Sequence, residues 1–101
     1  MRVCDLIAEF VYASGTEVAF IMTGGGDKFL TDGFACHPKI KKISCHHEQA
    51  AAMAAVGYAK YTNLIGCAVV TTGCGGTNMI TGVLNAWQDS TACLFFSGQC
   101  N

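Results

Sequence analysis

Apolar side chains at Val3, Leu6, Ile7, Phe10 and Val11 recur with helical spacing and predict an amphipathic helix over residues 2–13, stopped by Ser14-Gly15. Residues 18–22 form a short apolar run rich in branched and aromatic side chains, which predicts a buried strand ended by Thr23-Gly24-Gly25-Gly26. Asp27 is then placed to cap a helix carrying Phe29, Leu30 and Phe34, and Pro38 blocks its continuation. A second strand is expected over residues 40–45, and an alanine-rich helix from Glu48 to about Tyr61, broken by Asn63 and Gly66. Residues 67–71 read as a central strand buried on both faces, followed by a glycine-rich turn over 72–77. A last helix sets Met79, Ile80, Val83, Leu84 and Trp87 on one face, before a final strand over 92–96.

Helix, then strand and helix three times, then strand is the pattern of an α/β domain: an open parallel sheet in three layers, with helices on both faces and right-handed crossovers. Loops at the carboxyl ends of such strands converge on one edge, where ligands bind. Here those loops are residues 23–27, 46–48, 72–78 and 97–99, and they hold the unusual residues of the chain.

The chain has 101 residues, is 51% hydrophobic and only 13% charged, enough for one domain with a core and too apolar for disorder. A net charge of -1 excludes broad attraction to nucleic acid or an anionic membrane; Lys39, Lys41 and Lys42 read as a solvated strand edge. No apolar run is long enough to span a bilayer, and Asp5, Glu9 and Glu17 stand where a signal peptide would be apolar, so a cytoplasmic location is expected. The seven cysteines are odd in number and mostly set among apolar or small residues, which predicts reduced, mostly buried thiols. So little charge also predicts a surface that is covered by a second copy or a neighbouring domain.

Neither glycine loop completes a dinucleotide fingerprint, and neither is followed by the Lys-Ser/Thr of a phosphate-binding loop. Cys36-His37 and Cys45-His46-His47 lack metal-site spacing, so no metal ligands are assigned; His46 and His47 are expected at a polar rim, with a hydrogen bond at the helix start. Glu48 stands out. It is a carboxylate opening an otherwise uncharged alanine helix, with no basic residue before Lys60. A helix dipole favours such a charge by a few tenths to about 1 kcal/mol, so a structural role is open for it.

Taken together, Phe20-Ile21-Met22-Thr23-Gly24-Gly25, His47-Glu48-Gln49-Ala50-Ala51, Gly57-Tyr58-Ala59, Thr72-Gly73-Cys74-Gly75-Gly76-Thr77-Asn78, Gly82-Val83, Ala86-x-x-Asp89-Ser90 and Ser97-Gly98-Gln99 resemble, in order, the thiamine-diphosphate enzymes of the acetolactate synthase type. The match is to their N-terminal, flavodoxin-like pyrimidine-binding domain. The resemblance implies that Glu48 is catalytic, hydrogen-bonding N1′ of the aminopyrimidine and so favouring the imino tautomer that removes the C2 proton. It implies that Thr72, Gly73 and Asn78 surround the pyrimidine, that Gly24 and Gly25 lie near the reacting face, and that Gln99 lies towards the substrate. A carboxylate in that role is expected in an apolar pocket that raises its pKa. Thr23 and Cys74 replace two family prolines, loosening both turns without removing a hydrogen-bonding group.

By the same resemblance, the cofactors are thiamine diphosphate and Mg²⁺, the substrate is a 2-oxo acid, and the full-length protein is a homodimer or tetramer. The diphosphate and Mg²⁺ ligands belong to a C-terminal domain, so residues 1–101 are expected to be an incomplete pyrimidine-binding domain without the middle and diphosphate-binding domains, inactive alone. The alternative reading is a non-catalytic flavodoxin-like binding or interaction module.

Overall fold

The computed structural model describes residues 1–99; Cys100, one of the seven cysteines, lies outside the described residues. The elements run α1 (Val3–Ala13), β1 (Val18–Ile21), a 3-10 turn (Gly25–Asp27), α2 (Lys28–Cys36), β2 (Lys41–Ser44), α3 (Glu48–Thr62), β3 (Gly66–Val70), α4 (Cys74–Gln88) and β4 (Cys93–Ser97). The alternation expected from the sequence is therefore present. All strand pairs are parallel, in the order β2-β1-β3-β4. Ala8, Val11 and Phe34 from α1 and α2 pack on one face of the sheet with Ala19, Ile21, Cys67 and Val69. Ala51, Ala52, Ala55 and Met79 from α3 and α4 pack on the other with Ala68 and Val70. That is the three-layer α/β architecture, and β3 is buried along its whole length.

The register aligns the carboxyl ends of the strands: Ile21 lies beside Ser44 and Val69, and Val70 beside Ser97. The crossover from β1 leads outward to β2, whereas that from β3 leads the opposite way to β4. Their chain paths diverge between β1 and β3, the point at which an open α/β sheet forms its ligand crevice.

Three expectations are corrected. The glycine-rich turn is mostly the first turn of α4, which starts at Cys74; only the residues up to Gly73, whose φ is +64°, form the loop. The buried face of α4 is Gly75, Met79, Gly82 and Ala86, while Ile80, Val83, Leu84 and Trp87 are exposed, Trp87 by 82%. The cause is α3: a Cβ on Gly82 would meet the Ala52 Cβ at 2.3 Å, so small residues face each other and the large ones turn outward. Likewise α1 buries Cys4, Ala8 and Val11, leaving Val3, Leu6 and Phe10 exposed. The expectation of mostly buried thiols is also only half met. The described cysteines are free; Cys4 and Cys67 are buried, Cys45 and Cys93 half-buried, Cys36 and Cys74 exposed. Burial, with a smaller contribution from neighbouring Cys93, pushes the Cys67 thiol up to about 12, so it stays protonated.

The two sheet edges differ. Edge strand β2 carries exposed Lys41 and Lys42, as expected, whereas β4 is an uncharged Cys-Leu-Phe-Phe-Ser strand, half-buried over its first four residues.

Candidate functional site

At the carboxyl edge of the sheet, α3 and α4 begin side by side on the same face. Glu48 is the first residue of α3; its N-cap is His47, whose Nδ1 accepts the Gln49 amide at 3.1 Å, the helix-start bond expected of that histidine. Asn78 lies one turn into α4. Its Nδ2 donates to Glu48 Oε2 at 3.1 Å, bringing together two residues thirty positions apart. Glu48 is only 8% exposed, unusual for a carboxylate that has no lysine or arginine salt bridge among the described residues.

The environment does not raise its pKa, as expected from an apolar pocket, but lowers it below the ordinary 4.5. Glu48's own backbone N–H contributes most and the Asn78 amide next; burial opposes them, and the His47 ring adds a smaller lowering. The two hydrogen bonds to the charged form outweigh the cost of its burial. A folded pKa below the unfolded one stabilises the fold above about 4.5, and that contribution disappears as pH falls through the depressed value. Urea midpoints measured on either side of pH 4.5 should therefore fall on acidification, and Glu48→Gln should flatten part of that fall. An unchanged acid limb in the variant would contradict the assignment.

The neighbouring loops interlock. Gly26 N–H donates to Thr71 Oγ1 at 3.0 Å, Ser97 Oγ donates to the Thr71 carbonyl at 3.2 Å, and Gly98 N–H donates to the Val70 carbonyl at 2.9 Å. A Cβ on Gly98 would sit 2.3 Å from the Gly26 carbonyl, and one on Gly24 2.5 Å from the Thr71 Cβ, so only glycine permits these approaches. Gly25 and Gly73 differ from them: a Cβ at either would meet nothing within 4 Å. They are open backbone on the crevice rim. Thr72 is half-buried against Gly26, and Gln99 is exposed just beyond β4.

The structure thus brings Glu48 into contact with Asn78, and joins Gly24 to the loop that carries Thr72 and Gly73; a single turn of α4 links the two groups. Among the described residues, no group of three or more His, Cys, Asp or Glu side chains is placed to hold a metal ion. No role is predicted for Thr71, or for Ser97 within its loop, because hydroxyls at strand ends carry no pattern. Asp27 stands at the N-cap position of α2 as expected, yet its side chain bonds none of that helix's first amides: Oδ1 accepts the Gly24 N–H at 2.8 Å, closing the 3-10 turn, and Oδ2 accepts the Thr31 hydroxyl at 3.3 Å. A lone buried carboxylate after three glycines was the available signal.

Chemically, the edge offers a fixed, ionised acceptor beside open glycine backbone, which suits a flat heteroaromatic ring carrying hydrogen-bonding nitrogens. Comparison with known proteins agrees. The family model described as thiamine pyrophosphate enzyme, N-terminal TPP binding domain, matches residues 1–101. The acetolactate synthase large subunit of Haemophilus influenzae is 38% identical over 94% of this chain and 17% of its own length. The acetolactate synthase isozyme 2 large subunit of Escherichia coli is 45% identical over 98% of this chain and 18% of its own length. The chloroplastic acetolactate synthase of Arabidopsis thaliana is 30% identical over 94% of the chain. The chain therefore spans under a fifth of the length of these relatives. No described helix is long and apolar enough to cross a membrane.

Proposed function

This chain belongs to the thiamine pyrophosphate enzymes as their N-terminal TPP-binding domain, and we propose that it supplies the aminopyrimidine half of a thiamine-diphosphate site in a lyase or carboligase acting on 2-oxo acids, most like acetolactate synthase. The observation that carries this reading is the buried Glu48 carboxylate held by Asn78 at the crevice edge. The residues present fit the cofactor's aminopyrimidine, because a ring nitrogen needs a directional carboxylate and its flat face needs backbone without a Cβ, as at Gly25 and Gly73. Thiamine diphosphate, when bound, supplies an acidic carbon that adds to a 2-oxo acid and an electron sink for its decarboxylation.

The protein's own contribution is positional and protonic. Asn78 occupies one lone-pair direction of Glu48 Oε2 and orients the carboxylate, which would share a proton with the ring nitrogen. The lowered pKa keeps Glu48 ionised before the ring arrives, and a neutral pyrimidine nitrogen carries no N–H, so the pair would take up one proton from water to become hydrogen-bonded. Covering the site with a partner surface removes water and moves that pKa upward, towards proton sharing. Thr72, Gly24 and Gly73 shape the wall beside it, and Gln99 faces the substrate side.

In this reading the diphosphate and Mg²⁺ are held by a separate diphosphate-binding domain, and the complete enzyme is a dimer or tetramer in the cytoplasm. Titration of the complete polypeptide with thiamine diphosphate and Mg²⁺, followed by pyruvate, tests this. Saturable binding and cofactor-dependent release of carbon dioxide are expected; a folded protein with neither would overturn the proposal.

A further inference from the structure

Asp27 is 2% exposed, and among the described residues no lysine, arginine or histidine pairs with it. A carboxylate buried without a cation is costly unless its hydrogen bonds are strong. A helix-capping role would aim it at the first amides of α2, but no cap bond to that helix forms. It reaches back to the Gly24 N–H instead, braced by the Thr31 hydroxyl. The other end of the same loop is held from a different strand, where Thr71 Oγ1 accepts the Gly26 N–H.

Gly24 and Gly26 are therefore both tied down and tightly packed, Gly24 against Thr71 and Gly26 against Thr72. Gly25 lies between them, exposed and facing open space. The Thr71 carbonyl is itself engaged by Ser97, and Thr71 leads directly into Thr72 and the second open glycine, Gly73. One carboxylate and one hydroxyl thus fix the loop that carries one open glycine to the root of the loop that carries the other.

We propose that Asp27 and Thr71 are positioning residues that clamp the Gly24-Gly25-Gly26 loop and present the Gly25 backbone as a preformed wall for the aminopyrimidine. The inference rests on the thiamine-diphosphate reading above. A loop ordered in advance loses little conformational freedom when the ring binds, so the clamp acts on affinity rather than on the chemical step.

The test uses Asp27→Ala, Asp27→Asn and Thr71→Val in the complete polypeptide. Amide hydrogen exchange over residues 24–26 is followed without cofactor, then the Kd for thiamine diphosphate, then kcat at saturating cofactor. Losing a hydrogen bond of this kind changes an equilibrium by roughly tenfold or more. Asp27→Ala and Thr71→Val should speed exchange in this loop by about that factor and raise Kd about tenfold, with kcat nearly unchanged and exchange in α3 and α4 as in wild type. Asp27→Asn should recover most of the affinity, because its side-chain oxygen still accepts the Gly24 N–H. Equal loss in the asparagine and alanine variants, or a fall in Tm with loop exchange and Kd unmoved, would overturn the clamp. Wild-type protein that bound no thiamine diphosphate would overturn the functional reading and this proposal together; wild-type binding matched by Asp27→Ala would overturn this proposal alone.

Discussion

Glu48→Gln should slow exchange of the C2 proton of bound thiamine diphosphate by about 10²–10⁴-fold, the usual contribution of a positioned acid or base, while leaving the fold in place. The substitution keeps an oxygen that accepts from Asn78 Nδ2, so the contact between the heads of α3 and α4 survives. Only the charge and the ability to share a proton are lost. Exchange followed by NMR in deuterium oxide measures the step directly, separately from substrate binding. A variant exchanging at the wild-type rate would remove Glu48 from the chemistry and leave it a helix-start carboxylate. A variant that no longer bound the cofactor would instead assign Glu48 to binding alone.

Gly82→Val should destabilise the domain by about 3 kcal/mol, because even a single added Cβ lands 2.3 Å from the Ala52 Cβ in a tightly packed core. In a domain of this size that lowers Tm by roughly 10–20 °C. The expected damage reaches the site as well. Ala52 lies one turn beyond Glu48, and Gly82 one turn beyond Asn78, so the two contacts are stacked rungs between parallel helices in register. Parting the lower rung lengthens the 3.1 Å upper one. Thermal unfolding reads the first effect. The second is read at a temperature where the variant is fully folded, as weaker thiamine diphosphate binding and a smaller contribution of Glu48 to the acid limb of stability. Wild-type stability in Gly82→Val would mean that the helices separate without cost.

The order of elements was legible because each strand is a short apolar run punctuated by glycine, proline or asparagine, and each helix has a periodic apolar set. The orientation of α4 was not. Hydrophobic periodicity marks a stripe, but whether a helix buries its large or its small residues depends on the facing helix. Here α3 presents Ala52 at close range to Gly82, Gly75 is pressed against Val70 and Thr71, and Ile80 and Trp87 are left outside. The candidate site was legible in a similar way. Glu48 stands out as an isolated charge, and the resemblance implies that it and Asn78 meet the same ring; their direct contact is visible only in the structure, and the pKa shift has the opposite sign to that expected because helix-start hydrogen bonds outweigh burial. Asp27 was visible from the start as a carboxylate beside a glycine loop. Its two partners are local, Gly24 three residues before and Thr31 four after; what the periodicity does not show is the short 3-10 turn between the glycines and α2, which the Asp27 side chain closes.

The unequal margins of the sheet have a consequence for how it can be extended. Lys41 and Lys42 give the β2 margin a charge that repels strand addition, whereas β4 offers an uncharged Cys-Leu-Phe-Phe-Ser backbone bordered by Leu94 and Phe96 on one side and Phe95 on the other. An uncharged, apolar edge strand of this kind is where another strand would add, from a second molecule or from further chain of the same protein.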